Sequence, residues 1–479
     1  MKPRSFVAVV IALGLAATVL RARAADWPVF GHDPSRSGVD AGDTALTAAN
    51  VSHLRAMWQI PFGTPADSAP IYLERVTVGR RAIPMLFLTN KSGVTFGIEA
   101  RTGHIAWRFA THGPKITTSA PAADPSGTAV YVPGVDALLH KLDAATGHEL
   151  RAPGFPVRVT LMPQTEKDAS ELNVANGYLY ATTSGYDGDA PPYDGHVVAV
   201  RLSDGATHVF NSLCSRNKRL PTPTSCSNSD SGIWSRGGAV VDPDPSMHGA
   251  IYAATGNGLF DATAGGDNYG DSVVSLTADA SHFLGNYTPA DYTALQDGDT
   301  DMGSTSPAMI PRQPASRTPL MLVEGGKDGT LRLVDRAPLP GVADELSEMQ
   351  MPAALFSTPA VWSEGARTTI VIGLQSAVQA YGVATDASGR SRLVLLWSVH
   401  PGSTGGEGTS PVVSNGIVFV AFDGALVALD VHNGRTLWSS AQPSAMRTIG
   451  GVHWESPIVA DGRVYCPDEN GRLTAYELR

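Results

Sequence analysis

Ile417-Val418-Phe419-Val420-Ala421, Gly424-Ala425-Leu426-Val427-Ala428-Leu429-Asp430 and Asn433-Gly434-Arg435-Thr436-Leu437-Trp438 follow one another with only turn residues between them. Each is a short apolar or alternating run bounded by Gly, Asp or Asn, which is the pattern of antiparallel strands joined by tight turns. The same lines recur upstream as Val130-Tyr131-Val132 with Leu142-Asp143-Ala144-Ala145-Thr146-Gly147, and as Ala100-Arg101-Thr102-Gly103-His104-Ile105-Ala106-Trp107. A Ser-Pro or Ser/Thr-x-Pro step opens the units, with prolines at Pro70, Pro121, Pro307, Pro359, Pro411 and Pro457. These are 51, 186, 52, 52 and 46 residues apart, and the long interval holds two further units, around Leu172-Asn173-Val174 and Gly237-Gly238-Ala239-Val240-Val241. Eight units of four strands predict an all-β, eight-bladed propeller of four-stranded antiparallel blades.

The ends of the repeat predict how the ring closes. The last unit, Ser456 to Leu478, stops after its third strand, whereas the strand Leu54-Arg55-Ala56-Met57-Trp58-Gln59-Ile60 precedes the first unit without a partner. Placed as the fourth strand of the last blade, it removes an otherwise raw sheet edge. One propeller is thus expected over 54–479, with 25–53 as a lead-in segment lying on it. Length alone, 479 residues, would suggest about three domains, but the repeat overrides that count.

Composition narrows the function classes. With 43% hydrophobic residues the chain can bury a large core, and 35 Lys+Arg against 45 Asp+Glu, with no basic run, argues against a nucleic-acid partner. Met1 to Ala24 combines a basic start (Lys2, Arg4), an apolar stretch from Phe6 to Leu20, and Ala22-Arg23-Ala24 as a small-x-small cleavage site. That reads as an export signal at 1–24, giving a periplasmic or secreted chain with no transmembrane helix after cleavage; a retained N-terminal anchor is the alternative. Cys214 and Cys226 enclose a polar, Pro-rich loop and are expected to pair, leaving Cys466 as a buried free thiol. There is no Cys-x-x-Cys-His motif for covalent haem.

The Ala-x-Thr-Gly-x-x-x-Trp ending, preceded by Leu-Asp, resembles the repeat of the quinoprotein propellers, the family that binds pyrroloquinoline quinone (PQQ), and the opening Asp26-Trp27-Pro28-Val29-Phe30-Gly31 agrees with it. The resemblance implies PQQ and Ca²⁺ at the propeller centre of an alcohol, sugar or polymer-alcohol dehydrogenase. It equally covers non-catalytic envelope scaffolds built from the same blades. Gly232-Ile233-Trp234, with Ala254-Thr255-Gly256-Asn257-Gly258, resembles the segment in which a Trp floors the quinone and an Asn binds calcium, making Trp234 and Asn257 the candidates. The alternatives are a blade-docking Trp and a turn Asn. Gly326-Lys327-Asp328-Gly329 resembles the stretch whose basic residue contacts the quinone carbonyls, so Lys327 is the candidate, or else a turn-tip lysine. Asp297-Gly298-Asp299-Thr300-Asp301 occupies the place of the catalytic Asp on calcium, with Asp299 and Asp301 both fitting; a solvated acidic turn or a separate Ca²⁺ loop is the alternative. The chain departs from the alcohol dehydrogenases in having no vicinal cysteine pair and no clear calcium-binding Glu; Asp187 or Asp189 lies in the corresponding blade. The implied partners are a small-molecule or polymeric alcohol or sugar and a separate electron acceptor. His112, His196, His400 and His453 offer bases for a hydrolase or lyase, without a nucleophile motif beside them, and His453-Trp454-Glu455 stands where loops line a central funnel or where blades pack.

Overall fold

Turn residues at every strand end favour hairpins over crossovers, and the computed structural model, which describes residues 26–151 and 153–479, folds accordingly into eight small sheets. The proposed signal at 1–24 lies outside the described residues. Blade 1 comprises Ile71–Val78, Arg81–Thr89, Val94–Glu99 and Ile105–Ala110, paired antiparallel in sequence order. Blade 7 repeats this with Val412–Ser414, Ile417–Phe422, Ala425–Asp430 and Thr436–Ser439. Strand Ile417–Phe422 is buried along its whole length because each blade packs on a neighbour on both faces.

Closure occurs as the sequence predicts. Leu54–Pro61 pairs antiparallel with Arg472–Leu478, Leu54 opposite Leu478 and Pro61 opposite Arg472, and completes blade 8 outside Ile458–Ala460 and Arg463–Asp468. Blades 7, 8 and 1 share one apolar core that includes Trp438, Tyr476, Leu86 and Ile98.

The repeated tryptophans fix blade to blade. Trp58 of blade 8 donates its indole N–H to the Ala100 carbonyl of blade 1 (3.1 Å), Trp107 of blade 1 to Ala144 of blade 2 (3.0 Å), and Trp397 of blade 6 to Val431 of blade 7 (2.8 Å). Three residues beyond each acceptor stands a glycine, Gly103, Gly147 or Gly434, with φ between +70° and +73°. A Cβ there would lie 2.8, 2.5 or 2.7 Å from the docked indole. The Thr/Asn-Gly of the repeat is therefore required twice, by left-handed backbone and by the ring pressed against it.

The lead-in segment does more than lie on the ring. Its backbone carbonyls accept from the inner strands of four blades: Pro28 from Ala123, Pro34 from Val241, Ser37 from Val361 and Gly38 from Val413. Val39–Asp40 adds a parallel fifth strand to blade 7, and Trp27 bridges Tyr72 in blade 1. Arg36, fully buried, donates to the carbonyls of Phe30, Glu171, Leu172 and Gly237. The segment is a strap across the inner-strand ends, satisfying donors that no further strand could reach. Blade 4 also departs from four strands, with Gly341–Val342 added in parallel beside Phe283–Thr288. Cys214 and Cys226 are bridged, and Cys466 is free and buried. Among the described residues no helix is long and apolar enough to cross a membrane.

Gly147→Ala is expected to cost about 2–4 kcal/mol, from forced left-handed backbone and overlap with the indole. Trp107→Ala should cost about 3–5 kcal/mol. The double variant should lose less than the sum by more than about 1 kcal/mol, since removing the ring makes room for the methyl; additive losses in urea unfolding would contradict the docking.

Candidate active site

Trp234, Phe356 and Trp454 lie four to six residues ahead of the inner strands of blades 4, 6 and 8, and the ring brings all three to one central cavity of about 590 Å³. Hairpin loops of blades 3, 4 and 5 supply the polar wall: Asp187 and Asp189, Asn257, and Lys327. The link between blades 4 and 5, which carries the short helix Tyr292–Gly298, adds Asp299 and Asp301. All five residues singled out from sequence, Trp234, Asn257, Asp299, Asp301 and Lys327, thus meet at one place.

Their mutual geometry is tight. Trp234 donates its indole N–H to Asp301 Oδ2 (3.2 Å), and Lys327 Nζ lies 2.7 Å from Asp301 Oδ1, 2.6 Å from Asp299 Oδ1 and 5.2 Å from the Trp234 ring. The Lys327 amide also donates to the Asp301 carbonyl (3.0 Å), so backbone as well as side chain holds the pair in register. Asp301 is 1% exposed, whereas the Asp299 side chain is 77% exposed at the cavity mouth. Burial raises the Asp301 pKa above the ordinary value, with Lys327 and Trp234 opposing it. Burial alone would lower the Lys327 ammonium, yet Asp301 and Asp299 outweigh it and its pKa is raised. Behind them, burial first and the Asp301 charge second push Asp271 up to about 8.

Glycines leave the room for this contact. A Cβ on Gly256 would stand 2.9 Å from Asp301 Oδ2 and 3.2 Å from Trp234 Nε1, and one on Gly303 would stand 2.6 Å from the Gly256 nitrogen. Asn257 donates its amide N–H to the Gln296 carbonyl (3.2 Å), which leaves its amide oxygen available to a cation.

Several cavity residues were not expected from sequence. Arg236, 3% exposed, closes the axis beneath the cavity by donating to the carbonyls of Asp67, Thr118, Ala169 and Trp234, and its guanidinium lies 4.3 Å from the Trp454 ring. Lys167, Tyr193, Asp230, Phe356 and Glu407 also line the cavity. Burial lowers the Lys167 pKa to about 8, with Asp187 opposing. The available signal was positional: Trp234, Phe356 and Trp454 stand one or two residues ahead of the Ser that opens an inner strand. Trp454 of the His453-Trp454-Glu455 group lines the cavity, with His453 stacked on it at 4.0 Å; His112, His196 and His400 do not line it.

The fold is an eight-bladed propeller whose blades are docked by tryptophan. Residues 376–479 match the PQQ_2 family model, described as outer membrane protein assembly factor BamB. Over 251 residues the chain is 26% identical to a polyvinylalcohol dehydrogenase from Sphingopyxis sp. (strain 113P3), covering 49% of this chain and 35% of that protein. It is 30% identical over 129 residues to outer membrane protein assembly factor BamB from Shigella dysenteriae serotype 1 (strain Sd197), covering 26% and 28%. The chain thus spans about a third of the length of the curated relatives it matches. Among solved structures, quinohemoprotein alcohol dehydrogenase ADHIIG from Pseudomonas putida HK5 superposes with a TM-score of 0.68 at 14% identity, over 95% of this chain and 80% of that one.

Lys327→Met should shift Asp301 titration to still higher pH, because burial then acts unopposed by the ammonium. Carbon-13 NMR of the Asp301 carboxyl checks this; an unmoved or lowered midpoint would contradict the pairing.

Proposed function

We propose that this chain is an exported oxidoreductase that binds PQQ with a Ca²⁺ ion in the central cavity and oxidises an alcohol, sugar or hydroxylated polymer. The observation that carries the proposal is the convergence of Trp234, Asn257, Asp301 and Lys327 on one cavity. These residues fit a flat, polyanionic quinone and a hard cation. Trp234 and Trp454 offer ring faces, Lys327, Lys167 and Arg236 offer positive charge, and Asn257, Asp301 and Asp187 offer oxygen ligands.

When bound, the quinone supplies the acceptor for the two electrons that leave the alcohol carbon with its hydrogen, and the cation supplies the field that favours an alkoxide. Asp301 takes the hydroxyl proton: it is buried and its proton affinity is raised above that of an ordinary carboxylate, which favours a general base. Trp234 and Lys327 hold that carboxylate in place through both oxygens. Lys327 would offer positive charge to a quinone held in the cavity. Asp299, exposed at the mouth, supports Lys327 from the solvent side. A separate acceptor would be needed to reoxidise the quinone. The scaffold reading rests on the family match at 376–479, in blades 6 to 8; Trp234, Asn257, Asp299, Asp301 and Lys327 all lie outside that stretch.

Purified chain reconstituted with PQQ and Ca²⁺ should bind the quinone by absorbance and reduce a dye with alcohols or sugars. Asp301→Asn should retain quinone binding and lose about 10²–10⁴ in turnover. Trp234→Ala should weaken quinone binding by about tenfold. Absence of quinone binding in the unaltered chain would leave the non-catalytic scaffold.

A further inference from the structure

Asp67, His453 and Glu469 come together at the seam where blade 1 meets blade 8. Asp67 lies in the link from the closing strand to blade 1, Glu469 in the hairpin between Arg463–Asp468 and Arg472–Leu478, and His453 in the loop that enters blade 8. One ligand atom from each lies within 4.8 Å of the others. Asp67 is 3% exposed, and its Oδ1 is buried without a hydrogen-bond partner among the described residues, 3.5 Å from His453 Nδ1. That separation is too long for a good hydrogen bond. It is close to the distance of about 3.4 Å expected between two atoms that each ligate a tetrahedral ion at about 2.1 Å.

The second shell is also present. His453 Nε2 faces Glu407 Oε2 at 3.4 Å, so a cation on Nδ1 leaves the other ring nitrogen directed at a carboxylate, the arrangement that orients metal-bound imidazoles. Glu455, fully buried two residues on, has Oε1 unpartnered. Besides the His453 ring when protonated, the positive charge now serving these carboxylates is Lys91, whose Nζ lies 2.8 Å from Asp67 Oδ2 and 3.6 Å from Glu469 Oε1. It is a flexible, 22% exposed side chain able to give way.

We propose that Asp67, His453 and Glu469 form a site for a divalent ion of the Zn²⁺ type that staples blade 1 to blade 8, in competition with the Lys91 ammonium. One imidazole and two carboxylates are a borderline donor set, suited to Zn²⁺ or Co²⁺ over Ca²⁺. Because His453 stacks on Trp454, the ion would also fix one wall of the central cavity. The site does not depend on the oxidoreductase reading.

The test uses the full chain, stripped with chelator, without quinone and with excess Ca²⁺ to occupy all-oxygen sites. Titration with Co²⁺ should give one equivalent with imidazole-type visible absorption and a rise in Tm; Zn²⁺ should abolish the absorption and keep the rise. His453→Asn and Glu469→Gln should lose that equivalent, whereas Asp301→Asn should keep it, separating this ion from the cavity's. Lys91→Met should bind Co²⁺ about tenfold more tightly, since a competing charge is gone. The proposal is overturned if the His453 and Glu469 variants bind Co²⁺ as the unaltered chain does, or if Lys91→Met brings no gain.

Discussion

A tryptophan ring lying on a glycine of the next sheet is the contact on which the ring depends. Trp58, Trp107 and Trp397 each cover Gly103, Gly147 or Gly434 and hydrogen-bond the carbonyl three residues earlier. The indole thus sets both the spacing between two blades and their relative height. Repeated at three blade junctions, that fixed offset helps bring the segments ahead of the inner strands to a common centre. The cavity is a result of this packing, since its lining comes from several blades and the links between them.

The contact also explains which parts of the molecule could be read from the sequence. Blades 1, 2, 6, 7 and 8 carry the docking Trp, its Gly, or both, and there the strand order, the turns and the closing strand Leu54–Pro61 were legible. Blades 3 to 5 carry irregular links in their place: the bridged loop between Cys214 and Cys226, the extra strand Gly341–Val342, and the helix Tyr292–Gly298. Trp234, Asn257, Asp299, Asp301 and Lys327 come from these irregular blades and were visible only through longer motifs. Arg236 and Glu407 were not visible, because nothing local marks a side chain whose neighbours come from blades on the far side of the ring. The strap was likewise illegible: Pro28, Pro34, Ser37 and Gly38 contribute backbone carbonyls, which carry no side-chain signature.

Within the cavity, opposite charges are kept close but unevenly buried. Asp301 is sealed beneath Trp234 while Asp299 reaches solvent, yet one ammonium serves both. Lys327 therefore links a desolvated carboxylate to the exterior, and the raised proton affinity of Asp301 persists despite a cation 2.7 Å away. Burial outweighs the ion pair here, which is the usual order when a carboxylate is withdrawn from water. A site that must accept a proton is served by that imbalance; a purely structural ion pair would be better matched.

The pairing of Leu54–Pro61 with Arg472–Leu478 carries a consequence for how the molecule is assembled. Apart from the parallel strand Val39–Asp40 that the strap adds to blade 7, every other blade is made from strands close together in the chain. Blade 8 joins Leu54–Pro61 to Arg472–Leu478, so its formation involves the largest loop closure among the described strands. Closing the ring thus carries the largest loop-closure entropy in the fold, and a ring cut at any other inter-blade link and joined at this seam would keep the same contacts with that cost moved elsewhere.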